Sequence, residues 1–156
     1  MVVVDTSALI GAWHAHYLPS FVPVFWEQME EAMRDGRVTV STEAYAEIEE
    51  ESDQLYPWLR ERQEWLVAPT PEVQARAGEI EATYRFKPGR DGADPFLIAQ
   101  AEIGGYALAT YEGRSPTGSR AKAKKKYDDI PTICQGLGVS CVQPAEAWRD
   151  VGIVLG

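Results

Sequence analysis

Cysteine is almost missing from this sequence: Cys134 and Cys141 are the only two in 156 residues. Two thiols cannot build a disulfide framework, and neither stands in a CxxC or Cys/His spacing that would hold zinc. Both read as small buried residues. Histidine is equally scarce: His14 and His16 read as ordinary helix positions, with no nucleophile–base pair around them. No apolar run approaches the ~20 residues of a membrane helix, which argues against a membrane partner. The start lacks a charged n-region and a small-residue cleavage site, so a cytoplasmic protein is expected. Positive charge is short as well. Fifteen Lys and Arg face 24 Asp and Glu, a net of −9, which disfavours nonspecific nucleic-acid binding over the whole surface.

What remains is an ordinary globular composition, 45% hydrophobic and 25% charged. It is long enough for one domain, 1–156, with a core of its own. The scarce positive charge is concentrated. From Arg114 to Tyr127 there are six basic residues (Arg114, Arg120, Lys122, Lys124, Lys125 and Lys126) and no acid. Taking those six charges out of the net −9 leaves −15, a strongly acidic body with one basic flap. The flap is a candidate RNA-binding segment that would grip phosphates in a salt-dependent way. The alternatives are a solvated loop and contact with an acidic partner.

Val2–Val4 reads as a short buried strand, since an uninterrupted β-branched run suits a central parallel position. Thr6-Ser7 opens a helix whose Ala8, Leu9, Ala12 and Trp13 form one apolar stripe. After Tyr17-Leu18-Pro19, Ser20 is expected to cap a helix over Phe21–Arg34, ended by Asp35-Gly36. Trp13, Tyr17, Phe25 and Trp26 read as core or interface, with base stacking as the alternative. Val38–Val40 is a second strand, and Ser41 or Thr42 caps a third helix. Asp53 is a cap for a continuation through Trp58 and Trp65, and Leu66-Val67 suggests a minor strand. Pro71 opens a helix to about Tyr84, followed by the breaker-rich loop KPGRDG. Asp94-Pro95 reads as an acidic cap and a first-turn proline before FLIAQAEI, a helix apolar nearly all round. Tyr106–Thr110, Pro131–Leu137, Val139–Val142 and Pro144–Arg149 complete the alternation as strand, helix, strand, helix. Strands alternating with helices predict a parallel sheet covered on both faces.

Ligands of such sheets sit beyond the carboxyl ends of the strands, and there Val2–Val4 ends in Asp5. Glu112 follows the third strand by two residues. Glu47 shares a stripe of the third helix with Ala44, Ile48 and Glu51, and Asp94 opens the buried helix. Alone, each acid has a plain structural reading: a turn, a cap, a solvated glutamate, a loop. Together, four acids without a compensating base would either protonate or bind a cation in a partly desolvated pocket. Oxygen ligands favour Mg²⁺ or Mn²⁺ over zinc, and such a pocket suits phosphodiester hydrolysis.

VVDTSALI resembles the opening of PIN-domain ribonucleases, STEAYAEI their second motif and ADPFLIAQA their third. LATYE stands where that family has strand-Thr-x-acid, with Glu112 replacing the more usual aspartate. YLPSFVPVFWEQM, DQLYPWL and KKKYDDIPTICQGLGVSCV resemble a PIN-like branch catalogued as a domain of unknown function, similar to toxins of the VapC kind. The resemblance implies an α/β three-layer fold with about four to five short, mostly parallel strands. It also implies a metal-dependent endoribonuclease that is the toxin of a type II toxin–antitoxin pair. Asp5, Glu47, Asp94 and Glu112 would be catalytic and hold Mg²⁺ or Mn²⁺, with Thr6 and Thr110 supporting. Asp128 and Asp129 are substitutes should Glu112 point away, and Asp91 reads as loop. The partners implied are RNA, a cognate antitoxin and a second copy in a homodimer. Two other classes compete. A haloacid-dehalogenase-like phosphohydrolase also ends its first strand in aspartate, but it wants a second one where this chain has Ser7. The other is a noncatalytic acidic interaction module.

Overall fold

Val2–Val4 forms strand β1, buried at all three positions and central in the sheet. The computed structural model describes residues 1–51, 54–89, 91–113 and 126–156. Strands β2 (Val38–Thr39), β3 (Ala107–Ala109) and β4 (Cys141–Val142) complete a four-stranded sheet in the order β2-β1-β3-β4, every pairing parallel. Helices cover both faces: α1 (Thr6–Gly11), α2 (Pro23–Arg34), α3 (Thr42–Glu51), α4 (Leu55–Arg60), α5 (Pro71–Thr83), α6 (Asp94–Gly104), α7 (Ile130–Leu137) and α8 (Pro144–Asp150).

The pleat of β1 divides the apolar residues between two cores, because successive side chains of a strand point to opposite faces. Val2 and Val4 pack with Leu9, Phe25, Trp26, Met29, Leu59 and Trp148. Val3 joins Leu108, Leu97, Ile98, Ile80 and Ile133 on the other face. Burying each such side chain contributes roughly 1.5–3 kcal/mol. Of the aromatic residues that could have stacked bases, Trp13, Phe25 and Trp26 are buried, and Tyr17 lies flat on Phe25 with centroids 4.1 Å apart. They are core.

Several boundaries differ from the sequence expectation. Helix α2 begins at Pro23, whose missing N–H suits a helix start, and not at Phe21, which is 81% exposed in the preceding turn. The stripe of Ala8, Leu9, Ala12 and Trp13 is buried as expected, but the helix closes with a π-helical turn over Ala12–His16. Leu66-Val67 contributes only a single bridge, Ser41 to Val67. Asp94 is the first residue of α6 and not its cap; Ala93 holds that position. Cys134 is buried but Cys141 only partly so. Asp53 and the flap residues Arg114, Arg120, Lys122, Lys124 and Lys125 lie outside the described residues. Among the described residues no helix is long and apolar enough to cross a membrane.

The strand order positions the site. From β1 the chain moves to β2 on one side, then returns to place β3 on the other. The switch point therefore lies between β1 and β3, where parallel sheets open a crevice at their carboxyl ends. Asp5 follows β1 there, and Thr110 follows β3.

Candidate functional site

A cleft of about 480 Å³ opens at that switch point, lined by Asp5, Thr6, Ser7, Glu47, Glu51, Asp91, Asp94 and Glu112, with Ile10 and Gly11 at its apolar side. All four acids singled out in the sequence line it. Each arrives on a different element, so the sheet order and not local sequence brings them together.

Asp5 is held at the floor. Its N–H donates to the Ala109 carbonyl (2.9 Å), continuing the β1–β3 ladder one residue past the strand. Its Oδ2 accepts the Ser7 hydroxyl at 2.6 Å and the Thr110 hydroxyl at 2.7 Å. Thr110 Oγ1 in turn accepts the Glu112 N–H (3.0 Å), and Ser7 Oγ accepts the Tyr111 N–H (3.2 Å). These bonds fix the turn that leaves β3 against the turn that leaves β1.

Glu47 bridges two other segments. Thr6 Oγ1 donates to its Oε2 (2.7 Å), and the Ala93 N–H donates to its Oε1 (2.9 Å). The glutamate thus satisfies the amide of the α6 N-cap residue, a role more often filled by the cap's own side chain. Asp94 accepts no hydrogen bond from the described residues and turns its carboxyl to the cleft. Glu112 reaches away from β3 so that its Oε2 accepts the Ile130 N–H at 3.1 Å, tying the site to the start of α7.

All four carboxyls are held above their ordinary protonation range. For Asp5 the cause is burial, opposed by the Ser7 and Thr110 hydroxyls. Glu47 is raised by burial, opposed by the bonds from Thr6 and Ala93. Asp94 is pushed to about 10 by burial and then by the charges of Asp5, Glu112, Asp91 and Glu47. Glu112 is pushed to about 6, again by burial first, with Asp5, Asp91 and Asp129 adding repulsion. Among the described residues none of the four is in an ion pair with Lys or Arg. Carboxylates elsewhere in the chain show the contrast: Arg76 holds Glu102 below its ordinary range.

The substitutes for Glu112 are otherwise engaged. Asp128 pairs with Arg85 (3.2 Å) and accepts the Arg85 N–H. Asp129 caps α7 by accepting the Thr132 N–H (2.9 Å). Three polar cleft residues, Ser7, Glu51 and Asp91, carried no functional assignment in the sequence. Ser7 was legible only as a helix-opening residue. Glu51 stands one turn beyond Glu47 on the same stripe, which was the available signal. Asp91 lay inside a loop of breakers and gave none.

Hard oxygen donors without a described counter-charge are the donor set of a divalent cation such as Mg²⁺ or Mn²⁺. The four carboxyls converge on the cleft, yet among the described residues no group of three or more His, Cys, Asp or Glu is closed up as a metal-ion cluster. The family model for the domain of unknown function DUF4411 matches residues 2–155. The chain belongs to that family. The match takes in every element that supplies the cleft of this DUF4411 chain, from Asp5 to Glu112. Comparison with curated proteins returned no match.

Proposed function

We propose that this DUF4411 chain is a metal-dependent endoribonuclease of the PIN kind, hydrolysing RNA phosphodiester bonds as the toxin of a toxin–antitoxin pair. The observation that carries the reading is the meeting of Asp5, Glu47, Asp94 and Glu112 in one cleft without a described Lys or Arg among them. Asp5 and Asp94 are buried and Glu47 and Glu112 half-buried, and such a concentration of negative charge is costly unless protons or a cation balance it.

The donor chemistry fits Mg²⁺ or Mn²⁺, and these four residues would hold it. When bound, such an ion polarises a phosphoryl oxygen and lowers the pKa of water. The rest is the work of the chain's own side chains. Ser7 and Thr110 occupy Oδ2 of Asp5, leaving Oδ1 without a side-chain hydroxyl bond. Glu47 is oriented through both oxygens, by the Thr6 hydroxyl at Oε2 and the Ala93 N–H at Oε1. The Asp94 carboxyl accepts no hydrogen bond from the described residues, so its oxygens are not already committed to a donor of the chain.

The basic flap (Arg114, Arg120, Lys122, Lys124, Lys125 and Lys126) supports an anionic substrate, since it follows Glu112 directly in the chain. A protein partner is supported by exposed apolar side chains, Phe21 in the turn before α2, Val24 in its first turn, and Val154 and Leu155 near the C-terminus. Hydrogen bonds between Gln28 and Val154 tie that C-terminal segment to α2. The proposed partners are an antitoxin that brings a basic residue to the acidic cleft, and a second copy of the chain.

The test is cleavage of defined tRNA, rRNA and mRNA substrates with Mg²⁺ or Mn²⁺, by the wild type and by Asp5→Asn and Glu47→Gln. Activity lost in both variants, with folding intact, supports the reading. Full cleavage in excess chelator refutes it.

A further inference from the structure

A second cavity, about 600 Å³, adjoins the acidic cleft and differs from it in chemistry. Asp91 lines both. The walls carry Tyr84, Phe86 and Tyr127 together with Arg85, Lys87 and Lys126. In a chain of net charge −9, three aromatic rings and three cations around one cavity are a local reversal. We propose that this cavity is a nucleotide-binding subsite that takes one unpaired base of the RNA, next to the phosphate presented to the acidic cleft. The inference rests on the ribonuclease reading for the position of that phosphate and on its own residues for the base.

Two bonded segments build the cavity. Asp128 N–H donates to the Arg85 carbonyl (2.8 Å), and Asp128 Oδ2 accepts the Arg85 N–H (2.8 Å). This reciprocal pair fastens Lys126-Tyr127 beside Phe86. On the other side Asp91 Oδ2 accepts the Lys87 N–H (2.7 Å), and the Asp91 carbonyl accepts the Asp94 N–H (3.3 Å). The loop that carries Lys87 is therefore anchored to the first residue of α6, which is Asp94. A ligand in the cavity is held at a fixed place relative to the cleft.

The chemistry selects the occupant. A nucleotide offers a flat π surface to the aromatic residues and an anionic phosphate to the lysines, the combination used for single strands. Arg85 is neutralised by Asp128, and Glu81 adds one acid to the rim. Among the described residues the cations left for phosphate are Lys87 and Lys126, neither of them paired with a described carboxylate. Lys126 Nζ lies 5.3 Å from the Tyr127 ring centroid, so charge and ring already stand together. A base locked in a duplex keeps its faces stacked on its neighbours and has none to offer an aromatic side chain, so the subsite discriminates for unpaired nucleotides.

The test is binding of a fluorescently labelled single-stranded RNA octamer, measured by polarisation. The full chain carries Asp94→Asn as a common background to keep the RNA intact. In that background Phe86→Ala, Tyr127→Ala and the exposed Lys87→Glu are each expected to weaken binding about ten-fold, and Arg149→Ala, a remote cation, less than two-fold. An octamer with one abasic position should lose affinity for the background chain but lose little more for Phe86→Ala. Thermal melts check the folding of Phe86→Ala, and Lys87→Glu keeps the test open should that variant unfold. Unchanged binding in Lys87→Glu and Tyr127→Ala, or no binding by the background chain, overturns the subsite. Cleavage by the chain with Asp94 intact is scored separately. Pocket-dependent binding without any cleavage would sink the nuclease reading and leave the subsite standing.

Discussion

Thr110 Oγ1 donates a 2.7 Å hydrogen bond to Asp5 Oδ2, joining residues 105 positions apart at the floor of the cleft. The same oxygen accepts the Glu112 N–H, so one hydroxyl holds the two strand ends in register. Thr110→Val keeps the shape and removes both bonds. A buried carboxylate then loses a donor and an amide loses its acceptor. The expected loss is about 1–3 kcal/mol in urea denaturation, with RNA cleavage reduced at least ten-fold. Thr110→Ser should restore most of both. A valine variant as stable and as active as the wild type would contradict this account.

Asp94→Asn separates stability from activity. The carboxyl is buried, accepts no described hydrogen bond and is repelled by its four acidic neighbours. Asparagine cannot ionise, so the metal-free variant no longer has to take up the proton that the buried carboxyl needs, and it should be as stable as the wild type or more so, by both heat and denaturant. Mn²⁺-dependent cleavage should fall a hundred-fold or more. A clear drop in melting temperature would show that Asp94 is a structural acid instead.

The raised carboxyls set a pH dependence. Between the ordinary value and the folded one, the native state holds a proton that the unfolded chain releases, so stability falls as pH rises through that window. For Glu112 the window runs from 4.5 to about 6, and for Asp94 from 3.8 to about 10. In chelator, unfolding free energy should decline from pH 5 to pH 8 by on the order of 1 kcal/mol per pH unit. Added Mn²⁺ competes with the protons, so its stabilisation should be larger at pH 8 than at pH 5. Denaturation series at both pH values, with and without the ion, measure this. Stability that increases with pH in chelator would have the wrong sign.

Glu112→Asp shortens an arm that spans from the end of β3 to the Ile130 N–H at the start of α7. Aspartate cannot keep that bond while facing the cleft. The expected cost is about 1 kcal/mol of stability, with cleavage lowered but not abolished because an acid remains. Glu112→Gln should spare more of the stability and lose more of the activity. The two variants compared by thermal melt and by initial rate decide the point.

Much of this arrangement was legible in the residues. The valine run before Asp5 marked a central strand, and the prolines at 71, 95, 131 and 144 stand in first turns of helices. Pro23 gave the same signal, yet the apolar spacing from Phe21 drew the expected start of α2 two residues too early. Asp94 read as a cap because Asp-Pro before an apolar run usually is one. Glu47, 46 residues upstream of Ala93, supplies the bond to the cap residue's amide instead, and no local pattern could announce that.

The sequence by itself determined the strands, most helix starts and the supply of acids, because these depend on side-chain period and on neighbours a few positions away. Tertiary structure alone decided which acids share a cleft. Asp128 lies one residue from Asp129 and 16 from Glu112, yet Asp128 goes to Arg85, Asp129 to the Thr132 amide of α7 and Glu112 to the site. Asp91, silent in its loop, ends on the wall between two cavities. The reason is physical: a charge acts on whatever lies within a few ångströms, and here strand order places residues that are remote in the chain at that distance.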